Sequence, residues 1–182
     1  MERLPEGTQA DEITLRRWTA GDGEALHAAI VASVEHLRPW MAWIQFEPQT
    51  VAEREALIAG WDQSWQDGGD VLLGIWRGGQ LVGSCGLHRR IGEGGLEIGY
   101  WIHVDHIGQG LATLAAGAAT EMAFAAPGID RVEIHHDVAN AASARVPEKL
   151  GYTMVGQVAA ARPDVAPAET GMDCIWRVTR EQ

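Results

Sequence analysis

Two glycines, Gly108 and Gly110, lie between a strongly apolar run and a long Ala-rich run in the segment "WIHVDHIGQGLAT". Glycine adopts positive φ and has no Cβ, so a strand-to-helix turn that contains it lets backbone N–H groups approach a ligand closely. The ligand at such a turn is commonly a phosphate, which the N-terminus of a helix favours. The same spacing also serves tight turns that bind nothing, and the rest of the chain must decide between the two interpretations.

Three neighbouring side chains, His135, His136 and Asp137, carry donor atoms that suit a metal ion. Successive residues of a strand point to opposite faces of the sheet, so the two histidines cannot readily share one ion. The cysteines, Cys85 and Cys174, lie far apart in apolar surroundings and lack metal-ligand spacing. We therefore expect no metal site, and we interpret both cysteines as buried thiols in a reducing cytoplasm.

The composition limits the kinds of partner that the protein can have. A net charge of −11 argues against a general nucleic-acid binder. No apolar run approaches the ~20 residues that span a bilayer, and the first residues lack the apolar stretch of a secretory signal. We therefore expect a cytoplasmic protein without nucleic-acid or membrane partners, and the sequence leaves a homodimer open.

The order of the elements predicts one mixed sheet. Period-two runs predict seven strands, at Ile13–Thr19, Val71–Arg77, Gln80–Ile91, Leu96–Val104, Arg131–Val138, Tyr152–Ala161 and Asp173–Thr179. Helices are predicted at Asp22–Glu35, Val51–Gln66, Leu111–Ala125 and Ala141–Leu150, the second with a capping box of Thr50 and Glu53. A three-strand meander followed by strand–helix units requires a mixed, mostly antiparallel sheet with helices on both faces, an α/β (α+β) fold. No linker or repeat separates a second domain, so residues 1–182 are expected to form one.

Four segments carry a resemblance to a known family. Residues 107–112 match its phosphate loop, Arg/Gln-x-x-Gly-x-Gly/Ala, and "LEIGYWIHVDH" before them is similar to its fourth strand. "HLRPWMAW" is similar to the substrate-side helices of one subfamily, and "NAASARVPEKLGY" to the pattern Asn-x-x-Ser-x-x-Val-x-x-Lys-Leu-Gly-Phe/Tyr. On these motifs the chain resembles the GCN5-related N-acetyltransferases (GNAT), and within them the RimJ/RimL-type protein N-terminal acetyltransferases.

Two positions depart from the pattern of this family. Ile107 stands where the family has Arg or Gln, which removes one side-chain contribution to the phosphate site. Pro147 lies within the last predicted helix, where it cannot donate to the Ser143 carbonyl and should clash with it. The proline therefore bears on where the Ser143 side chain points.

The resemblance implies that acetyl-CoA is the cosubstrate and that the fourth and fifth predicted strands splay apart to admit its pantetheine arm. Free strand-edge groups pair with the amides of this arm as another strand would, and the pyrophosphate meets N–H groups at a helix N-terminus. The residues so assigned to the cosubstrate are Trp101, Ile102, His103, Val104, Ile107, Gly108, Gln109, Gly110, Leu111, Ala112, Asn140 and Ser143. A helix N-cap is the alternative role for Asn140.

Acetyl transfer to an amine requires a neutral nucleophile, a stabilised oxyanion and an acceptable leaving group. An α-amine has a pKa of ~8 and needs only a modest base, whereas a lysine side chain has a pKa of ~10.4. Glu97 is the candidate base, because the RimJ/RimL pattern has an acidic residue there; a structural carboxylate paired with an arginine is the alternative. His88 is the second candidate base. N–H groups near Ile102 would bind the oxyanion, and Ser143 or Tyr152 would hydrogen-bond the departing sulfur.

The expected acceptor is a primary amine at a protein or peptide N-terminus, with a small-molecule amine as the alternative. Trp40 and Trp43 either line the acceptor cleft, with His88 and Glu97, or belong to the core. The cysteines lack an identifiable base partner, so we expect direct transfer without a covalent enzyme intermediate. The alternative from a different functional class is a CoA-binding module without catalytic activity, which would need no base in the acceptor cleft.

Overall fold

The structure is a computed structural model that describes residues 2–161 and 164–180, so the outermost residues of the predicted domain 1–182 and positions 162–163 lie outside it. Within the described part, eight strands form: β1 (Gly7–Ala10), β2 (Ile13–Arg17), β3 (Val71–Arg77), β4 (Gln80–His88), β5 (Gly95–Ile102), β6 (Arg131–Asp137), β7 (Thr153–Ala159) and β8 (Met172–Thr179). The described α-helices are α1 (Gly23–Leu37), α2 (Val51–Gln66), α3 (Leu111–Ala125) and α4 (Ala141–Lys149). Short 3₁₀ helices lie at Ala42–Phe46 and Val104–His106.

All eight described strands belong to one sheet, in the order β1-β2-β3-β4-β5-β6-β8-β7. Every neighbouring pair is antiparallel except β5 and β6, which are parallel. The mixed, mostly antiparallel sheet is confirmed, but the prediction of seven strands is wrong by one. β1 could not be predicted from the sequence, because its four residues, Gly-Thr-Gln-Ala, show no alternation and only their pairing with β2 makes them a strand.

Helices cover both faces of the sheet, as predicted. Alternate residues of β3 show the division: Leu73 packs in a core with α3, and Leu72 packs in a second core with α1 and α2. The capping box that starts α2 is confirmed, since Thr50 accepts from the N–H of Glu53 and Glu53 accepts from the N–H of Thr50. No helix of the described residues is long and apolar enough to cross a membrane.

The strands β5 and β6 diverge partway along their length. Their parallel register runs only from the pair Gly95–Arg131 to the pair Ile98–Ile134. Beyond that point β5 continues beside β4 as far as Ile102, and β6 continues beside β8 to its end. The predicted splaying is confirmed, and it opens a gap at the carboxyl ends of the two strands, which we call the β5–β6 gap. The chain enters α3 shortly after β5 and enters α4 shortly after β6.

Candidate active site

The loop before α3 is open around its two glycines. Gly108 and Gly110 have φ of +74° and +79°, and a Cβ built on either would meet nothing within 4 Å. Gly110 is the N-cap and provides no capping side chain. The first helical bond of α3 runs from the N–H of Leu114 to the carbonyl of Gly110, so three earlier N–H groups lack a helical acceptor: those of Leu111, Ala112 and Thr113.

This loop has the chemistry of an anion site. Unpaired N–H groups and the positive end of the helix dipole favour a phosphate, and the open space leaves room for one. The segment predicted from the sequence runs from Ile107 to Ala112, and the structure adds Thr113, whose N–H completes the first turn. The side chain of Ile107 is exposed, and Gln109 donates a side-chain bond of 3.4 Å to the carbonyl of Asp105.

The backbone of β5 borders the gap through alternate residues. The N–H of His103 donates to the carbonyl of Val82 on β4. The main-chain groups of Trp101, two residues earlier, therefore also face β4. The residues in between, Tyr100 and Ile102, direct their main-chain groups into the gap. Of the four consecutive residues predicted to bind CoA, Ile102 is therefore the one that offers its N–H to a ligand in the gap.

The next N–H groups along the chain already have hydrogen-bond acceptors within the protein. That of Val104 donates to the hydroxyl of Ser33, a fully buried side chain of α1, at 3.1 Å. The imidazole of His103 accepts from the N–H of Asp105 at 3.1 Å. The N–H groups of His103 and Val104 thus already have acceptors in β4 and α1, and the assignment of these two residues to CoA stays a prediction.

Ser143 lies in the first turn of α4 and contacts β5. Its Oγ is 3.0 Å from the hydroxyl of Tyr100, which also donates to the Ser143 carbonyl at 3.3 Å. α4 continues through Pro147 to Lys149, so the proline does not end the helix. The side chain of Asn140 accepts from the N–H of Ser143 at 3.1 Å, which is the N-cap interaction weighed as its alternative role.

Tyr152 is placed differently from the prediction. Its side chain is buried in the core and its hydroxyl lies 2.7 Å from Oγ1 of Thr120, in the middle of α3. That hydroxyl of Thr120 also donates to the carbonyl of Ala116. The partner of Ser143 is Tyr100 instead, a residue that the sequence analysis did not name although its period-two position on β5 places it on the same face as Ile98.

Glu97 forms an ion pair at the narrow end of the gap. Arg90 donates to both of its oxygens, at 2.8 and 2.5 Å, and the carboxylate is 9% exposed. Burial acts to raise the pKa of Glu97, but the hydrogen bonds and charge of Arg90, with the charges of His135 and His88, hold it below its usual value. A carboxylate with a lowered pKa is a weak base. This geometry favours the paired-carboxylate interpretation, and the role of Glu97 as the base stays a prediction.

The neighbouring residues of β6 extend this polar cluster. Nε2 of His135 lies 2.6 Å from Oε2 of Glu133, and Arg177 donates to the other oxygen of Glu133. His136 points to the opposite face, where its Nε2 accepts from Nε1 of Trp176 at 2.9 Å. Among residues 2–161 and 164–180, no group of three His, Cys, Asp or Glu side chains could hold a metal ion.

His88 is the last residue of β4 and lies opposite Glu97 in the sheet register. Its Nδ1 is 2.8 Å from Oδ2 of Asp70, the residue before β3. The face that carries His88 and Glu97 is the one that α1 and α2 cover farther along the sheet. Asp70 was not named from the sequence, because nothing in the spacing of the two residues shows that they meet.

The two tryptophans predicted at the acceptor side are both half-buried. The ring centroid of Trp43 is 6.3 Å from that of Trp101, and the ring packs against the core of α1 and α2. Trp40 follows the end of α1. Next to it, the carbonyl of Pro39 accepts from the N–H of Ala168, so the connection between β7 and β8 crosses to this side of the sheet.

Comparisons with known proteins agree with this geometry. A family model described as an acetyltransferase (GNAT) domain matches residues 12–153. YdaF of Bacillus subtilis (strain 168), named as a candidate ribosomal N-acetyltransferase, is 29% identical over 149 residues, 81% of each chain. The microcin C7 self-immunity acetyltransferase MccE, solved with acetyl-CoA and AMP, has a TM-score of 0.86 at 21% identity over 97% of both chains. RimL, a ribosomal L7/L12 α-N-protein acetyltransferase solved with coenzyme A, has a TM-score of 0.83 at 20% identity over 98% of both chains. These two structural similarities concern the fold alone.

Proposed function

Because the chain belongs to the acetyltransferase (GNAT) domain family, we propose that it transfers the acetyl group of acetyl-CoA to the α-amine of a protein or peptide N-terminus. The observation that carries this proposal is the β5–β6 gap, which leads to the glycine loop at the N-terminus of α3. The gap offers strand-edge groups for the amides of a pantetheine arm, and the loop offers N–H groups for a pyrophosphate.

The residues at this site suit a cosubstrate that enters by its thioester end. Tyr100 and Ile102 direct backbone groups into the gap, and the N–H of Ile102 is a donor for the amides or for the oxyanion of the tetrahedral intermediate. Leu111, Ala112 and Thr113 supply free N–H groups to the pyrophosphate. Asn140 would add its side-chain amide nitrogen, since only its oxygen serves as the N-cap.

Ser143 is the group proposed to protonate the departing sulfur. Its hydroxyl is held by Tyr100 beside β5, on the α3 side of the gap. A thiol has a pKa of ~8.5, so thiolate is a tolerable leaving group and the acid contributes only about one to two orders of magnitude. Tyr152 takes no part in this step, because Thr120 holds its hydroxyl in the core.

The acceptor is proposed to approach on the face of α1 and α2. Trp43 and Trp101 stand on this face, and the connection from β7 to β8 meets Pro39 there. The carboxylates of Glu97 and Glu133 lie on the same face at the narrow end of the gap, each paired with an arginine. The relatives named for ribosomal-protein N-acetylation support an N-terminal α-amine. We also propose a cytoplasmic location, which the free thiols of Cys85 and Cys174 fit.

The test is acetyl transfer by the purified protein to a panel of amines, followed by mass spectrometry. The panel contains peptides with a free N-terminus, the same peptides with a blocked N-terminus and an internal lysine, and small amines that include amino-acid derivatives. Acetylation of free N-termini alone supports the proposal. Acetylation of small amines alone supports the alternative acceptor class. Binding of acetyl-CoA without transfer to any amine would leave only a CoA-binding module.

A further inference from the structure

Asp70 holds the imidazole of His88 in one orientation. One carboxylate oxygen of Asp70 lies 2.8 Å from Nδ1 of His88, and the other accepts from the N–H of Arg89 at 2.8 Å. Both oxygens of Asp70 are thus engaged by neighbouring residues of one short segment. The carboxylate cannot rotate without losing a bond, so the ring that it contacts is fixed as well.

The charge of Asp70 decides which nitrogen of His88 carries the proton. Burial acts to raise the pKa of Asp70, but the hydrogen bonds from His88 and from the N–H of Arg89, with the charges of His88 and Arg90, hold it below its usual value. An ionised carboxylate can only accept a hydrogen bond, so Nδ1 of His88 is the donor. In the neutral imidazole the lone pair is then on Nε2.

Nε2 of His88 lies near the start of the β5–β6 gap. Nε2 of His88 is 3.4 Å from the position that a Cβ on Gly99 would take, and 2.7 Å from that on Gly86. Gly99 directly follows Ile98, the last residue of β5 that pairs with β6. The ring therefore lies over two glycines whose missing side chains leave it room, and its Nε2 has no hydrogen-bond partner in the described part of the chain.

We propose that His88 is the proton acceptor for the incoming amine and that Asp70 is its positioning residue, an inference that rests on the function proposed above. One N–H bond of the substrate ammonium breaks, its electron pair stays on the amine nitrogen, and the proton goes to Nε2 of His88. The neutral amine attacks the thioester carbonyl, and the C–S bond breaks with its electron pair going to sulfur. As the C–N bond forms and the C–S bond breaks, the sulfur takes the proton of the Ser143 hydroxyl. Ser143 regains a proton from the acetylated nitrogen, which leaves the neutral amide, and the proton held by His88 is released to solvent.

The groups around His88 fit an imidazolium intermediate. Asp70 contacts the ring directly, Glu97 lies opposite it on β5, and Arg90 is held by Glu97. The two carboxylates balance the positive charge that the ring gains when it accepts the proton.

The proton transfer also bears on the acceptor class. An α-ammonium has a pKa of ~8 and a lysine ammonium a pKa of ~10.4, so loss of the proton is about 250-fold less favourable for the lysine. A proton acceptor at this position therefore works more readily on α-amines than on lysine side chains.

The first test is His88→Gln, which removes the titratable nitrogen and keeps a polar side chain. We expect kcat/KM for a peptide N-terminus to fall by about 10²-fold near neutral pH, while the affinity for acetyl-CoA stays within about twofold. The loss should shrink towards pH ~9, where the α-amine arrives already neutral. His27→Gln, at a site on α1 that is half-buried like His88, is the matched control and should behave as the wild type.

The second test is Asp70→Asn, which separates positioning from simple packing. Asparagine keeps an oxygen for the N–H of Arg89 but turns an amide N–H towards Nδ1, so the ring proton moves to Nε2. We expect kcat/KM to fall at least about tenfold, and ¹⁵N NMR to show an Nε2-protonated ring at His88 in place of the Nδ1-protonated ring of the wild type.

The outcomes are distinguishable. A wild-type His88 protonated on Nε2 at neutral pH overturns the inference whatever the activity. A folded His88→Gln variant that acetylates at the wild-type rate from pH ~6 to ~9, or with a loss that does not change with pH, also overturns it and leaves the proposed function intact. A wild-type protein that acetylates no amine overturns both.

Discussion

The hydroxyl of Tyr100 lies 3.0 Å from Oγ of Ser143 and 3.3 Å from the carbonyl oxygen of the same residue. Pro147 has no N–H and leaves this carbonyl without its usual helical donor, so Tyr100 supplies the missing hydrogen bond. Burial, ahead of smaller influences, raises the pKa of Tyr100 to about 12. The phenol therefore remains neutral and able to donate across the physiological range of pH.

Tyr100→Phe should weaken both the fold and catalysis. The loss of one buried hydrogen bond should lower the free energy of unfolding by about 1 kcal/mol. A less well-held Ser143 should lower kcat by about fivefold, with the affinity for acetyl-CoA nearly unchanged. Tyr152→Phe is the matched control, since it loses the bond to Thr120 and should lower stability alone. Chemical denaturation and steady-state kinetics measure both effects, and an equal loss of kcat in the two variants would contradict this account.

Ser143→Ala should lower kcat by about 10- to 100-fold if the hydroxyl protonates the sulfur. The loss should be similar for every amine that the enzyme accepts, because the leaving group is the same. Since Tyr100 acts through Ser143, the double variant with Tyr100→Phe should be no slower than Ser143→Ala alone. Additive losses of rate would show that the two residues act independently.

Glu97→Gln should lower the free energy of unfolding and should have only a small effect on kcat/KM. The change removes the charge that Arg90 pairs with, whereas loss of a general base would lower kcat/KM by ~10²–10⁴ with recovery at high pH. We expect kcat/KM to fall by much less than this and not to recover at high pH. A loss of that size that disappears as the pH rises would show that Glu97, rather than His88, is the base.

The stability effect of Glu97 should depend on pH. Its pKa in the folded protein lies below the ordinary value of 4.5, so the ion pair stabilises the fold above that pH and the contribution is lost as the pH falls through the lowered pKa. The difference in free energy of unfolding between the wild type and Glu97→Gln should therefore be constant above about pH 5 and shrink as the pH falls below that value. Urea denaturation at a series of pH values measures it, and a difference that grows on acidification would contradict the assignment.

Asp137→Asn should loosen the loop that approaches the acceptor side. Asp137 accepts from the N–H groups of Ala139, Thr170 and Gly171 and from the hydroxyl of Thr170. Burial acts to raise the pKa of Asp137, but the hydrogen bonds from these four donors outweigh that effect and hold it below its usual value. We expect a lower melting temperature and faster amide exchange at residues 168–171 than in Asp130→Asn, an exposed control. Equal exchange in the two variants would mean that Asp137 does not hold the loop.

Local sequence was sufficient for the parts of the site that lie on one continuous segment. The glycine loop could be predicted because positive φ at Gly108 and Gly110 is a property of those residues themselves. The N-cap role of Asn140 is equally local. The divergence of β5 and β6 came from the family resemblance, since no feature of either strand alone shows where their pairing ends.

The side-chain pairs could not be predicted, because each depends on sheet register and helix docking. Asp70 and His88 meet only because β3 and β4 are neighbours, and the hydroxyl of Tyr152 meets α3 only through the docking of α4 and β7. Period-two alternation places Tyr100 on the α3 face, but which residue of α4 it reaches depends on how that helix packs. The sequence thus indicates which residues could act at the site more readily than it indicates which side chains they contact.

The central claim, that acetyl-CoA occupies the β5–β6 gap with its pyrophosphate on the loop before α3, is tested most directly by titrating Gly110→Glu with acetyl-CoA in a calorimeter. Gly128→Glu is the matched control: Gly110 and Gly128 have φ of +79° and +73°, and a Cβ at either would meet nothing within 4 Å. The two glycines flank opposite ends of α3, so strain and added charge are alike and only the distance from the loop differs. The account predicts no measurable binding by folded Gly110→Glu and wild-type affinity for Gly128→Glu. Wild-type affinity in a folded Gly110→Glu protein would contradict it.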